Sequence, residues 1–254
     1  MTLSEPTDCI FYNGTCVEHD PGRILQIFSI EVASISLDSG SVELYGYIAT
    51  RDVIDPLLNY VISFIRDDPI IVRQGSVINM IGPKRGIDIY DLTLIEYDIR
   101  IKTGEHEKDD LQLIDGASII THVGTWNRPC SICIPGDCGA VEINFSRVEP
   151  AVEATIEVLI SEVQSSFSLS HGCLTSELIK EIQLFLKRFV VAVVMDSLID
   201  LKFNVGTLPF NFDQRRCTFE AKTHGHDTQE IKTDFALLSV KVTWSTLPRG
   251  TLGL

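Results

Sequence analysis

Three segments of this chain alternate apolar and polar side chains with a period of two, and nothing else in it limits the fold so tightly. In LIEYDIRIK, residues 94–102, Ile95, Tyr97, Ile99 and Ile101 alternate with Glu96, Asp98, Arg100 and Lys102. In VEATIEVLIS, Val152, Ala154, Ile156, Val158 and Ile160 face one way and Glu153, Thr155, Glu157 and Ser161 the other. LIDLKFNV repeats the pattern, with Ile199, Leu201, Phe203 and Val205 against Asp200, Lys202 and Asn204. A period of two is that of a strand with one dry and one wet face, and antiparallel sheets tolerate such a wet face. The predicted fold is all-β: an antiparallel, sandwich-like protein of two packed sheets or subdomains with little helix.

Further strands are expected at 27–37, 42–49, 59–65, 140–148, 188–195, 217–222 and 237–244, separated by turn residues such as Asp55-Pro56, Asp68-Pro69, Gly82-Pro83 and Pro135-Gly136-Asp137. Residues 176–189 read both ways: Leu178, Ile182, Phe185 and Phe189 lie at helical spacing behind Ser176, yet EIQLF also suits a strand. The least regular stretch is 103–138, with an acidic run from Glu105 to Asp110. The expected organisation is a poorly ordered extension over 1–23, one domain over 24–247 with a subdomain seam near Pro135, and a tail over 248–254.

At 254 residues and 44% hydrophobic, the chain can bury a real core. Its formal net charge of -14 repels phosphate backbones, and its basic residues come in pairs rather than runs, so no nucleic-acid signal is present. The N-terminus lacks the charged and apolar regions of a signal peptide, and the apolar run near VVAVVM is too short to span a bilayer. A cytoplasmic location follows as an expectation. It makes the sequons at Asn13 and Asn144 chance matches, and the odd count of seven cysteines fits free thiols.

Asp52, Asp55, Asp67 and Asp68 stand in two tight clusters between apolar runs and are the metal candidates. Calcium would need five or more oxygens converging from loops at one end of a sandwich. The competing role is turn capping, which Asp before Pro matches closely. Cys130 and Cys133 form a C-x2-C without the second pair that zinc wants, although Cys138 and His122 are nearby in sequence. His224 and His226 flank Gly225 in what reads as a hairpin tip. GPKRG, residues 82–86, is a glycine-flanked basic turn whose amides, with Lys84 and Arg85, could cradle an anion. Trp126 and Trp244 read as packing residues. No nucleophile elbow or nucleotide loop is present, so no catalytic residue and no cofactor are expected.

Several phrases together resemble a known family: VELYGYIATRD, LLNYVISFIRDDPIIV, GPKRGIDIYDLTLIEYDIRIK, DDLQLIDGA, GDCGAVEINF, AVEATIEVLISEV, FVVAVVMDSLIDLKF and LLSVKVTWSTL. They are similar to a grass-specific family of unknown function whose domain stands alone or, in cereal jasmonate-induced proteins, follows a ribosome-inactivating rRNA N-glycosidase domain. The resemblance covers roughly residues 25 to 247. It implies a plant stress or defence context and favours a strand at EIQLF, where this chain is shorter than its relatives. It carries no catalytic residue across, because the glycosidase chemistry belongs to the other domain. The expected function is a non-catalytic interaction or regulatory module that binds a protein partner through loops or an exposed edge strand. The alternatives are a translation inhibitor related to the ribosome-inactivating proteins, or a calcium- or phosphate-directed sandwich.

Overall fold

The computed structural model describes residues 11–13, 15–16, 19–37, 40–164, 167–175, 182–184, 188–207 and 211–248. In chain order the strands are β1 (Phe11–Tyr12), β2 (Thr15–Cys16), β3 (Gly22–Ile35), β4 (Val42–Arg51), β5 (Asn59–Phe64), β6 (Ile70–Val72), β7 (Val77–Ile78), β8 (Ile87–Asp88), β9 (Leu92–Lys102) and β10 (Leu111–Thr121). They continue with β11 (Cys130–Gly136), β12 (Gly139–Ser161), β13 (Ser168–Thr175), β14 (Ile182–Leu184), β15 (Arg188–Val194), β16 (Leu198–Thr207), β17 (Asn211–Glu220), β18 (Gly225–Lys232) and β19 (Leu237–Ser245). Every pairing between these strands is antiparallel, and one short 3-10 turn at Glu107–Asp109 is the helical element among the described residues. The all-β, sandwich-like expectation holds.

One sheet runs in the order β10-β9-β4-β5, with β6 also on β4. A larger sheet runs β18-β19-β12-β3-β7, with β11 and β15 added on β12 and β8 on β3. A third runs β14-β13-β16-β17. The long strand β12 is the spine. Its first part pairs with β3 and β11 and sends Val141, Ile143 and Phe145 into a core shared with Ile48, Ile62, Ile95 and Ile99. From Val148 onward its side chains enter a second core with Phe189, Val191, Leu201, Phe203 and Trp244. The handover falls where the ladder between β12 and β3 slips between Val148 and Ala151. Pro150 lies inside this slip, as suits a residue that cannot donate to a ladder. Pro135 sits within the β11–β12 hairpin, opposite Ala140. Each fully buried isoleucine or valine contributes about 1.5–3 kcal/mol relative to exposure, so the two cores supply the main force that holds the sheets together.

The alternation over 94–102 and 198–205 sorts into buried and half-buried faces as read. Over 152–161 it does not: Glu153 and Thr155 are buried as well as Val152 and Ala154. There β12 is paired along both edges, by β15 and β19, and Ala151 to Ile156 are buried on both faces, so alternation no longer separates dry from wet. Two strands, β10 and β11, occupy the stretch that reads as least regular, and His226 and Asp227 belong to β18 rather than to a hairpin tip. Of the ambiguous segment, 182–184 and residues from Arg188 are strands; residues 176–181 and 185–187 lie outside the described ones.

Candidate interaction surface

The four aspartates do not converge. Asp52 lies ahead of β5 and Asp67 and Asp68 just after it, so a strand's length separates the two clusters, and no single ion can reach both. Asp67 and Asp68 are exposed, and the amide of Asp68 donates to Ile65 O at 3.1 Å in a simple turn. Asp55 caps its turn by accepting from Leu57 N at 2.9 Å.

Asp52 is the centre of a buried polar hub, and its partner is Arg85. Arg85 Nη1 donates to Asp52 Oδ2 and Nη2 to Oδ1, both at 2.7 Å, a bidentate pair in which Arg85 is only 2% exposed. Asp52 also accepts from Ile54 N at 3.1 Å, Asp55 N at 3.3 Å and Asp88 N at 2.8 Å. The amides expected to cradle an anion are likewise engaged: Lys84 N donates to Asn59 Oδ1 at 2.9 Å, and Gly86 N donates to Glu153 Oε2. Asn59 Nδ2 returns a bond to Arg85 O at 3.0 Å, and Ser245 Oγ donates to Glu153 Oε1 at 3.0 Å. The metal candidate Asp52 and the anion candidate Arg85 therefore neutralise each other. Together they tie the 52–59 and 82–88 loops to β12 and β19, where the two cores meet. Burial pushes the Asp88 carboxyl up to about 6, and the charge on Asp52 adds to the effect while Tyr90 N–H, Arg85 and Arg23 oppose it.

Lys84 alone of the basic pair reaches solvent, beside an open depression of about 500 Å³ lined by Arg51, Leu57, Leu58 and Tyr60. Lys84→Ala is expected to change stability by no more than about 0.5 kcal/mol in urea unfolding, the range of an exposed surface substitution.

The other sequence candidates separate as strand geometry requires. Cys130 faces the core and Cys133 faces solvent, because residues three apart on a strand point to opposite faces, so this C-x2-C cannot close on one ion. Cys130, Cys133, Cys138 and Cys217 are free thiols. His224 stacks on His19 with ring centroids 5.0 Å apart, whereas His226 is exposed. Trp244 is buried, its Nε1 donating to Asp227 Oδ2 at 2.9 Å, and Trp126 packs against the other core. Among the described residues no group of three or more His, Cys, Asp or Glu side chains is arranged to hold a metal ion.

What the sequence reading missed is a surface on β9 and β10. The outer face of their sheet is mostly occupied by mutually satisfied polar groups: Arg51 on Glu96, Arg100 on Asp98, Gln112 on Asp98, and Tyr45 with Arg66 on Asp110. At the corner where β9 begins and β10 ends, that pattern stops. Tyr90 and Ile119 are each 63% exposed and Val123 70%, with Leu92 also exposed. Cross-strand register places Leu92 opposite Thr121 and Leu94 opposite Ile119, so Leu92, Leu94 and Ile119 share one face, with Tyr90 and Val123 in the segments just beyond the two strand ends. The corner is held in place. His122 N donates to Asp91 O at 3.2 Å, and the Arg23 guanidinium lies 5.4 Å from the Tyr90 ring and 5.2 Å from Trp126 while its Nε donates to Glu149 at 2.7 Å. The sequence signal was SIITHV, a β-branched run without charge between residues 118 and 123, masked by Asp115-Gly116 just before it.

Residues 24–242 match the family described as Domain of unknown function (DUF6598). The chain belongs to this family. No curated protein matches it. Among solved structures, the human GIVD cytosolic phospholipase A2 is similar at 8% identity and a TM-score of 0.27, over 87% of this chain and 32% of that one. This chain thus spans about a third of the phospholipase. The calcium-bound pair of C2 domains of extended-synaptotagmin 2 is similar at 6% identity and a TM-score of 0.30, over 91% of this chain and 99% of that one. Likenesses of this size do not establish a shared fold. No helix among the described residues is long and apolar enough to cross a membrane.

Proposed function

We propose that this DUF6598 protein is a non-catalytic interaction module that docks a protein partner at the β9–β10 corner. The observation that supports the reading is the group Tyr90, Leu92, Ile119 and Val123, apolar and exposed where β9 begins and β10 ends, beside a sheet face whose polar side chains are paired. Exposed apolar groups that neighbour one another and are held by a stacked arginine mark a binding surface more than scattered ones do. Asp52 and Arg85, the metal and anion candidates, are engaged with each other, and Glu153 holds the Gly86 amide beside them. The setting in a plant stress or defence response rests on the resemblance of the quoted phrases to the grass family.

Hydroxyl-radical footprinting in fractions of a cell extract tests the docking face. Tyr90, Leu92, Ile119 and Val123 are expected to lose reactivity, while Ile71, exposed on β6, keeps it. Unchanged reactivity at the corner in every fraction would refute the reading. The purified chain is also expected to release no adenine from ribosomes; release that persists through controls for contaminating glycosidase would replace the proposal with an rRNA N-glycosidase.

A further inference from the structure

Strand β10 ends its sheet and, among the described residues, pairs only with β9. Its first residues are covered, because the β11–β12 turn brings Gly136 and Gly139 against Leu113. Its last carbonyl is taken as well, Arg147 Nε donating to Thr121 O at 2.7 Å. Between them lies an open edge, Asp115 to Ile120, in which Gly116, Ala117 and Ile119 are exposed. Natural sheets blunt such edges with lysine, proline or inward charge. Neighbouring edges do so here: β11 carries Pro135, β18 carries Asp227, Glu230 and Lys232, and β17 carries Arg215 and Arg216. On the β10 edge Asp115 is the single charge, and the stretch from Gly116 to Ile120 carries no charge and no proline.

Resting on the reading of this corner as a docking face, we infer that its partner is a second copy of this chain, with the two β10 edges pairing antiparallel into one continuous sheet. The edge is self-complementary about a two-fold axis at Ser118. That arrangement sets Ala117 opposite Ile119 of the other copy, Gly116 opposite Ile120, and Asp115 opposite Thr121, with no like charges facing. Ile119, left bare in the single chain, gains a neighbour in the small Ala117, and the main-chain groups of the open edge gain partners. The contact is short and lies below the standard interface size, so the dimer is weak, with dissociation in the range of about 10–300 µM. The charge of -14 on each copy opposes association, so salt strengthens it.

Sedimentation equilibrium of the full chain from roughly 5 to 500 µM tests the pairing across the expected dissociation range. The expected result is a monomer–dimer equilibrium that tightens between about 20 and 200 mM salt, accompanied by slowed exchange of β10 edge amides at high concentration. Ile119→Lys is expected to weaken association at least about tenfold without moving the urea midpoint, since the side chain is exposed. Ala117→Glu is expected to do the same, and mixing the two variants to restore a heterodimer through Lys–Glu pairing. A chain monomeric at the highest concentration overturns the inference, as does a dimer indifferent to Ile119→Lys. A monomer whose β10 edge binds an extended segment of another protein overturns the second copy while leaving the interaction-module reading intact. A chain that binds nothing at this corner overturns both.

Discussion

Replacing Arg85 with alanine is expected to cost about 3–5 kcal/mol, the largest loss of any single exchange proposed for this protein. The side chain is almost wholly buried and gives Asp52 two charge-assisted bonds of 2.7 Å. Its removal strands a carboxylate in the interior where the two cores meet, with Glu153 and Asp88 close by. A domain whose total stability is about 5–15 kcal/mol does not absorb that readily. Urea unfolding should show a large fall in midpoint, and Arg85→Lys should recover little of it, since an ammonium cannot reproduce the fork. The double variant Asp52→Asn with Arg85→Met is expected to be more stable than Arg85→Ala alone, because it removes both charges together. An Arg85→Ala protein that unfolds at the midpoint of the unaltered chain would show that the pair contributes nothing. The contrast with Lys84, one residue away and exposed, makes the result specific to the hub.

The second large effect has the opposite sign. Asp88 is buried, and its carboxyl is pushed up from 3.8 to about 6. Below about pH 4 it is protonated in both folded and unfolded chains and contributes nothing. Between about pH 4 and 6 the folded chain holds the proton more tightly than the unfolded one, so stability falls as pH rises, and above about 6 the full penalty stands. A shift of about two units corresponds to about 3 kcal/mol. Asp88→Asn is therefore expected to stabilise the protein at pH 7 by about 1–3 kcal/mol, with the gain vanishing near pH 4. The lower end of that range allows for the new amide N–H groups needing acceptors in a buried site. Unfolding midpoints measured from pH 4 to 8 provide the check; parallel curves for the two proteins would remove Asp88 as the source of the slope. The hub around Asp52 thus mixes an ion pair that holds the loops with a carboxyl whose ionisation works against them.

Strand identity was legible wherever one face of a strand met water. Residues 94–102 and 198–205 show the alternation directly, because half of their side chains stay in contact with solvent. Segment 152–161 shows it too, but there the pattern concealed the buried role of Glu153. Strand β10 was not legible, since Gly116, which takes a φ of +136°, and Asp115 look like turn residues in one dimension. The exposed corner went unread for the same reason.

From the sequence alone came the fold class, the antiparallel pairing, the turn-capping role of Asp55 and membership in a family of unknown function. These depend on local periodicity and backbone preference, which a run of ten residues expresses by itself. Only the tertiary structure decided that Asp52 meets Arg85 thirty-three residues away, that Asp67 and Asp68 sit at the far end of β5, and that β10 is an edge. Side chains distant in the chain are brought together by sheet order and register, and burial then decides which charges must pair; no short stretch of residues encodes either.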